Sequence, residues 1–177
     1  MRRRGDWMQT ATGRQFWPID PRPEEVHIED IAHALSLMCR YGGHCLRFYS
    51  VAEHSVLVAR ATSPEHRLWA LLHDAAEAYV ADVIRPLKPF LRDYQNIEDG
   101  VMRAICQRFG LDVIMPQEVK DLDIRILMDE KAQNMALEPA PWIKAEPLGV
   151  QLRFWQPGRA RAEFLRLFGE LTHGMPQ

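Results

Sequence analysis

Four side chains in this sequence carry more chemistry than their apolar neighbourhoods require. The stretch LWALLHDAAEAYVAD, Leu68 to Asp82, sets His73, Asp74 and Glu77 among leucines and alanines. An imidazole or carboxylate buried without a partner is costly, so these groups need partners elsewhere in the chain. Partners of the right type stand in EHSVLVA, which holds His54, and in VKDLD, which holds Asp123. His54, His73, Asp74 and Asp123 together offer two imidazoles and two carboxylates, a ligand set for one divalent metal with positions left open for water. Mixed nitrogen and oxygen donors suit manganese, cobalt, iron or zinc better than calcium, and magnesium stays within reach of the carboxylates. Each residue alone has a plainer reading. His54 could be a core or surface histidine with satisfied hydrogen bonds, and Asp123 a solvated turn of helix. His73 and Asp74 are helix neighbours that point about 100° apart. The joint pattern supports the metal. Glu77 follows His73 by four residues and Asp74 by three, on the same helix face one turn along.

The elements that must position these groups follow from apolar spacing and start and stop signals. Thr10–Val26, with three prolines and a glycine among aromatics, reads as an ordered, irregular arm in which short strands can pair. Ile28, Ile31, Ala32, Leu35, Met38 and Cys39 recur at helical spacing until Gly42 and Gly43, which predicts a first helix. Ser50 with Glu53 three residues later is a capping box that starts a second, carrying His54 in its first turns. Ser63 and Pro64 open a third, predicted to run unbroken to about Val80. Pro86 and Pro89 break the chain, and a fourth helix spans Leu91 to Phe109 before Gly110. Pro116 starts a fifth, with Val119, Leu122, Ile126, Leu127 and Met135 for the core and Asp123 among them. A proline-rich connection from Glu138 to Gln156 leads to a last amphipathic helix through Phe164, Leu165, Leu167, Phe168 and Leu171. No sustained two-residue alternation appears, so the fold class is all-α: a helical bundle with an irregular N-terminal arm over residues 1–27.

At 177 residues, 47% apolar and 26% charged, the chain suits one domain with its own core. A net charge of −2 gives no general attraction to nucleic acid or anionic lipid. MRRRGDW lacks the apolar run of a signal peptide, and no stretch reaches the apolar length that crosses a bilayer, so a cytoplasmic protein is expected. Cys39, Cys45 and Cys106 show no C-x-x-C spacing; they are expected to pack as small apolar residues. No phosphate loop, dinucleotide fingerprint or internal repeat is present.

EHSVLVA, LLHDAAEAYVAD and VKDLD, in this order and spacing, resemble the successive motifs of HD-domain metal-dependent phosphohydrolases. Within these, the sequence is most similar to small deoxynucleotide hydrolases: the 5'-deoxynucleotidases and, through DIAHALSLMCRYGGHCLRFYSVAEHS, the phage-type deoxynucleoside triphosphohydrolases. The resemblance covers roughly Thr10 to Asn134. It implies that His54 is the first metal-binding histidine, that His73 and Asp74 are the HD pair, and that Asp123 rather than Asp121 is the distal aspartate, Asp121 being exposed. In the mechanism it implies, Glu77 orients or deprotonates a water made more acidic by the metal, for in-line attack on phosphorus. Asp82 is either the acid that protonates the leaving oxygen or a solvated helix-end carboxylate.

Phosphate and base must also be held. Arg14, Arg40, His44, Arg85 and Lys88 lie near the motifs, and Arg14 and Lys88 are the chosen substrate-binding cations. In related enzymes the arm borders the nucleotide, so Trp17 and Ile19 either form a slot for the base or pin the arm to the bundle. The implied substrate is a deoxynucleotide, with a dATP-like triphosphate favoured by the arm and a monophosphate as the alternative. A nucleotide-binding regulator with little catalysis is the reading from another class, and a polynucleotide substrate is disfavoured by the charge balance. The implied partners are the small molecule and a second copy of the chain, to which the apolar face of the last helix is suited; neither nucleic acid nor membrane is expected.

Overall fold

In the computed structural model, which describes residues 3–141 and 143–173, the N-terminal arm comes first. Strands β1 (Met8–Gln9) and β2 (Gln15–Phe16) pair antiparallel with Met8 opposite Phe16, the short pairing expected of the arm. Phe16 is fully buried and stacks on Tyr79 with ring centroids 3.8 Å apart, which fastens the arm to the bundle.

Helices follow as α1 (Ile28–Leu37), α2 (Val51–Ala61), α3 (Arg67–Leu72), α4 (Glu77–Val80), α5 (Arg92–Phe109), α6 (Gln117–Asn134) and α7 (Pro157–Thr172). The all-α bundle is the architecture expected. Helix α2 runs through its centre: every residue from Val51 to Ala59 is buried, against α1, α3, α6 and α7. Ser50 caps it, accepting a hydrogen bond from the Glu53 amide at 3.1 Å. Helix α5 ends as expected at Gly110, which takes a left-handed φ of 68° while the Leu111 amide reaches back to the Cys106 carbonyl at 2.9 Å. Among the described residues, no helix is long and apolar enough to cross a membrane.

Three expectations need correction. The first helix stops at Leu37 rather than at the glycine pair, because Met38 turns extended and Cys39 forms an antiparallel bridge with Ser50. The Arg40 amide donates to Tyr49 at 2.9 Å and the Val51 amide to Met38 at 3.0 Å, so residues 38–51 form a closed loop leading into α2. The third helix is not continuous to Val80. It tightens over His73–Ala76, where the amides of Ala75 and Glu77 bond to carbonyls three residues back at 2.9 and 3.0 Å. The apolar face of α7 is largely taken up within the bundle against α1, α2 and α3: Phe164 and Leu167 are buried, and Leu165, Phe168 and Leu171 are half-buried.

Among its described residues the connection after α6 has neither helix nor strand, yet it is held closely by polar side chains. Asp129 of α6 accepts from the amides of Leu148 and Gly149 at 2.7 and 2.9 Å. Glu53 of α2, fully buried, accepts from three successive amides, Arg153, Phe154 and Trp155, at 2.6, 2.9 and 2.6 Å. Phe154 has a φ of 54°, which curls the backbone into a small nest of N–H groups around the carboxylate. Half of the expected capping box is therefore realised: Ser50 caps Glu53, but the Glu53 side chain binds the distant connection.

Candidate metal centre

The tightened turn after α3 brings His73 and Asp74 beneath α2 and α6, where they meet His54 and Asp123. His54 Nε2 lies 3.2 Å from His73 Nε2, 3.1 Å from Asp123 Oδ1 and 3.7 Å from Asp74 Oδ2. His73 Nε2 lies 3.2 Å from Asp74 Oδ2 and 3.7 Å from Asp123 Oδ1. The adjacency problem of the HD pair is resolved by reach: both side chains close on the same point. Among the described residues, His54, His73 and Asp123 offer ligand atoms within 4.8 Å of one another, a cluster that could hold a metal ion.

The outer nitrogens fix what the inner ones offer. His73 Nδ1 is 2.7 Å from the Ala70 carbonyl, an acceptor only, so this nitrogen carries the proton. His54 Nδ1 is 2.7 Å from Glu130 Oε1. Burial opposes ionisation of Glu130, but Arg40 and His54 hold its pKa down to about 2, so it too accepts. With each Nδ1 so bonded, the two Nε2 atoms face one point beside Asp74 and Asp123, where a positive charge is favoured. One candidate is a second proton. Burial disfavours it on His73, but Asp74 and Asp123 outweigh burial and raise that pKa well above the ordinary histidine value. The other is a metal ion. Burial likewise opposes the charges on Asp74 and Asp123, and the imidazoles hold both carboxyls below the usual range. The charges match a divalent ion: Asp74 and Asp123 supply two negative charges, and Arg40 balances Glu130.

Glu130 is a residue that sequence reasoning missed here, and Arg40, named near the motifs, was not among those chosen. Arg40 is largely buried and sits 3.4 Å from Asp74 Oδ2 and 3.3 Å from Glu130 Oε2. Tyr41, with a left-handed φ of 59°, donates its hydroxyl to Glu130. The signal for Glu130 was its spacing: it follows Asp123 by seven residues, two turns along the same stripe of α6 as Ile126 and Leu127.

A cavity of about 660 Å³ opens on the cluster, within the range of small-molecule sites. Asp74 and Asp123 line its inner wall with Glu77, Asp82 and Lys88; Arg40, Tyr41, His44 and Arg85 add polar groups, and Ile84, Leu127 and Met128 apolar ones. Glu77 is buried, with Oε1 3.5 Å from Lys88 Nζ and Oε2 without a hydrogen-bond partner. Burial, then Asp74 and Asp82, push its pKa up to about 9. Asp82 is also raised, mainly by burial. It follows Ala81, whose φ of 67° and ψ of 158° turn the chain from α4 into the cavity wall. Lys88 is held by Glu98 at 3.0 Å, and Tyr94 of α5 bonds both Glu98 and the Ala81 carbonyl.

The arm residues are placed elsewhere. Arg14, Trp17 and Ile19 are not among those that line the cavity. Arg14 donates to Thr12 at 2.8 Å, Trp17 lies under the Arg3 guanidinium at 4.1 Å and 6.5 Å from Trp7, and Ile19 is exposed near Gly5. These contacts all lie within the arm. Asp121 is exposed as expected, bonded to Gln117 at 2.9 Å. Of the cysteines, Cys106 is a buried core residue as expected, whereas Cys39 and Cys45 are half-buried with sulfurs 3.4 Å apart across the 38–51 loop. Burial, then Cys39, push the Cys45 thiol up to about 11, so it is protonated at neutral pH.

No family model matches the chain. It is 40% identical over 124 residues to the uncharacterized protein RCAP_rcc00048 of Rhodobacter capsulatus, covering 64% of this chain and 63% of that one. It is 33% identical over 170 residues to the uncharacterized protein YfdR of Escherichia coli, covering 94% of this chain and 96% of that one, and so it belongs to the family of YfdR.

Proposed function

We propose that this chain is a metal-dependent phosphohydrolase of deoxynucleotides, acting on a dATP-like triphosphate, with a 5'-deoxynucleotidase acting on monophosphates as the alternative. The observation that carries the reading is the pair of Nε2 atoms of His54 and His73, 3.2 Å apart, facing Asp74 and Asp123 beside a cavity whose wall also carries Arg40, Arg85 and Lys88. The donor set fits one divalent transition ion, held by His54, His73, Asp74 and Asp123, with manganese, cobalt, zinc and iron as candidates and magnesium the harder option. Bound there, such an ion would supply Lewis-acid polarisation of a phosphoryl group. The chain's own residues account for the rest. Asp74 helps keep Glu77 protonated, and with that charge offset by a bound ion Glu77 would be placed to take the proton of the attacking water. Lys88 would then hold its carboxylate and offer a charge to phosphate, and Asp82 would give a proton to the leaving oxygen. Arg40 and Arg85 add positive charge where a phosphate chain would lie, and Ile84, Leu127 and Met128 offer an apolar wall to the nucleoside.

Retention of Glu77 and Asp82 beside all four ligands favours an enzyme over a regulator that only binds nucleotide. The test is product analysis on metal-stripped protein reloaded in turn with manganese, cobalt, zinc and magnesium. Tripolyphosphate or pyrophosphate from a deoxynucleoside triphosphate supports the favoured substrate. Inorganic phosphate from a monophosphate moves the chain to the deoxynucleotidases. Turnover unchanged in His73→Ala and Asp74→Ala would refute the metal assignment, and no turnover with any ion would favour the regulator.

A further inference from the structure

Behind the four candidate ligands lies a buried carboxylate, Glu130, aimed at His54. We infer that Glu130 is a positioning residue for the metal centre, fixing the tautomer and ring orientation of His54 so that Nε2 is presented bare to the ion. This deepens the metal reading and rests on it. Glu130 is fully buried on α6, and its Oε1 lies 2.7 Å from His54 Nδ1. Its other oxygen accepts from Arg40 at 3.3 Å and from the Tyr41 hydroxyl. The carboxylate is thus gripped on one side by two donors from the 38–51 loop, which leaves the other side to receive the Nδ1 proton of His54. If Nδ1 were the bare nitrogen, it would face a carboxylate lone pair, and the proton on Nε2 would block the ion. Arg40 also reaches Asp74 Oδ2 at 3.4 Å, so the same loop touches a second ligand. His73 has no carboxylate of this kind; its Nδ1 is held by the Ala70 carbonyl of its own turn. The two histidines are therefore supported unequally, and the weaker local framework of His54 is compensated by a residue 76 positions away in sequence.

Substitution at Glu130 should change metal affinity more than it changes the fold. Glu130→Gln keeps one oxygen and adds an NH2. Either the NH2 meets Arg40 and Tyr41, or it meets His54 and forces the wrong tautomer; affinity for zinc or manganese, measured by chelator competition, should fall by about tenfold. Glu130→Leu removes the acceptor and should lower it by about 10–100-fold. Asp129→Asn, one position away on α6, is the control. It loosens the connection at Leu148 and Gly149, so it should cost stability while metal affinity stays within about twofold. Equal losses of affinity in Asp129→Asn and Glu130→Gln would mean general loosening and would overturn the inference, as would an affinity within about twofold of wild type in Glu130→Gln. If Glu130→Leu fails to fold, Glu130→Gln and the control decide. If wild-type protein binds no divalent ion, the metal reading fails separately. Ring-nitrogen NMR shifts of the metal-free wild type then judge Glu130: a proton on His54 Nδ1 supports its part, and one on Nε2 alone refutes it.

Discussion

Removing the Glu53 carboxylate should be among the most damaging single changes in this chain that spare the metal ligands. Its two oxygens receive the amides of Arg153, Phe154 and Trp155, and the carboxylate is fully buried. A hydrogen bond to a charged group contributes about 1.5–3 kcal/mol, and a buried donor left unmade costs about 1–3 kcal/mol. Arg153 is exposed enough for water to replace its bond, whereas Trp155 is buried, so the three losses are unequal. Glu53→Gln retains one acceptor oxygen and turns an NH2 toward the remaining amide, for a cost of about 2–3 kcal/mol. Glu53→Ala loses all three bonds and leaves a hole, for about 4–6 kcal/mol. Against a domain stability of about 5–15 kcal/mol, the alanine variant is close to unfolding. Urea unfolding followed by circular dichroism gives both values, and hydrogen exchange should show the amides of 153–155 losing protection first. A Glu53→Ala variant within about 1 kcal/mol of wild type would refute the reasoning, since it would mean the nest holds the connection without its anion.

Other outcomes follow from the same geometry. Glu118 accepts from the Ser63 amide and hydroxyl and from His66, and these bonds hold its pKa down to about 2. A depressed carboxyl stabilises above its unfolded pKa of about 4.3 and loses that contribution as pH falls toward 2. Glu118→Gln should therefore be less stable than wild type at pH 7, by no more than about 1 kcal/mol for so exposed a group, and nearly equal at pH 2.5 in urea unfolding. Ala81 holds a backbone conformation that suits glycine, so Ala81→Gly should gain about 1 kcal/mol and raise Tm by about 2–4 °C in calorimetry. A drop in Tm would contradict the strain. Free divalent ion at about 100 times its Kd should stabilise the wild type by about 2.7 kcal/mol and raise Tm by about 5–11 °C. His73→Ala should lose that shift.

Local signals placed most elements because local interactions decide them. Ser50 and Glu53 start α2 and Gly110 ends α5, each through bonds within one turn. The four candidate ligands were legible because their residue types conflict with the apolar helices that carry them. What the sequence concealed depends on distant pairings. The end of α1 is set by Cys39 meeting Ser50, which no periodicity of residues 28–43 records. The break at His73–Ala76 falls in a run of good helix formers and follows from tighter i to i+3 bonding around His73. On α6, Asp129, Glu130 and Asn134 were passed over. All three are buried, because the connection after α6 and the 38–51 loop fold back over them: Asn134 brackets Arg47 through its amide and carbonyl at 2.8 and 3.0 Å. Arg14, Trp17 and Ile19 were chosen by resemblance, and nothing in their own spacing placed them at the cavity.

The most direct test of the central claim is an anomalous difference map from a crystal soaked with manganese or zinc and measured at that metal's absorption edge. One strong peak per chain is expected, bounded by Nε2 of His54 and His73 and by Asp74 and Asp123, with metal–nitrogen distances of about 2.0–2.1 Å for zinc. A map with no peak there, or with its only peak elsewhere, would contradict that claim.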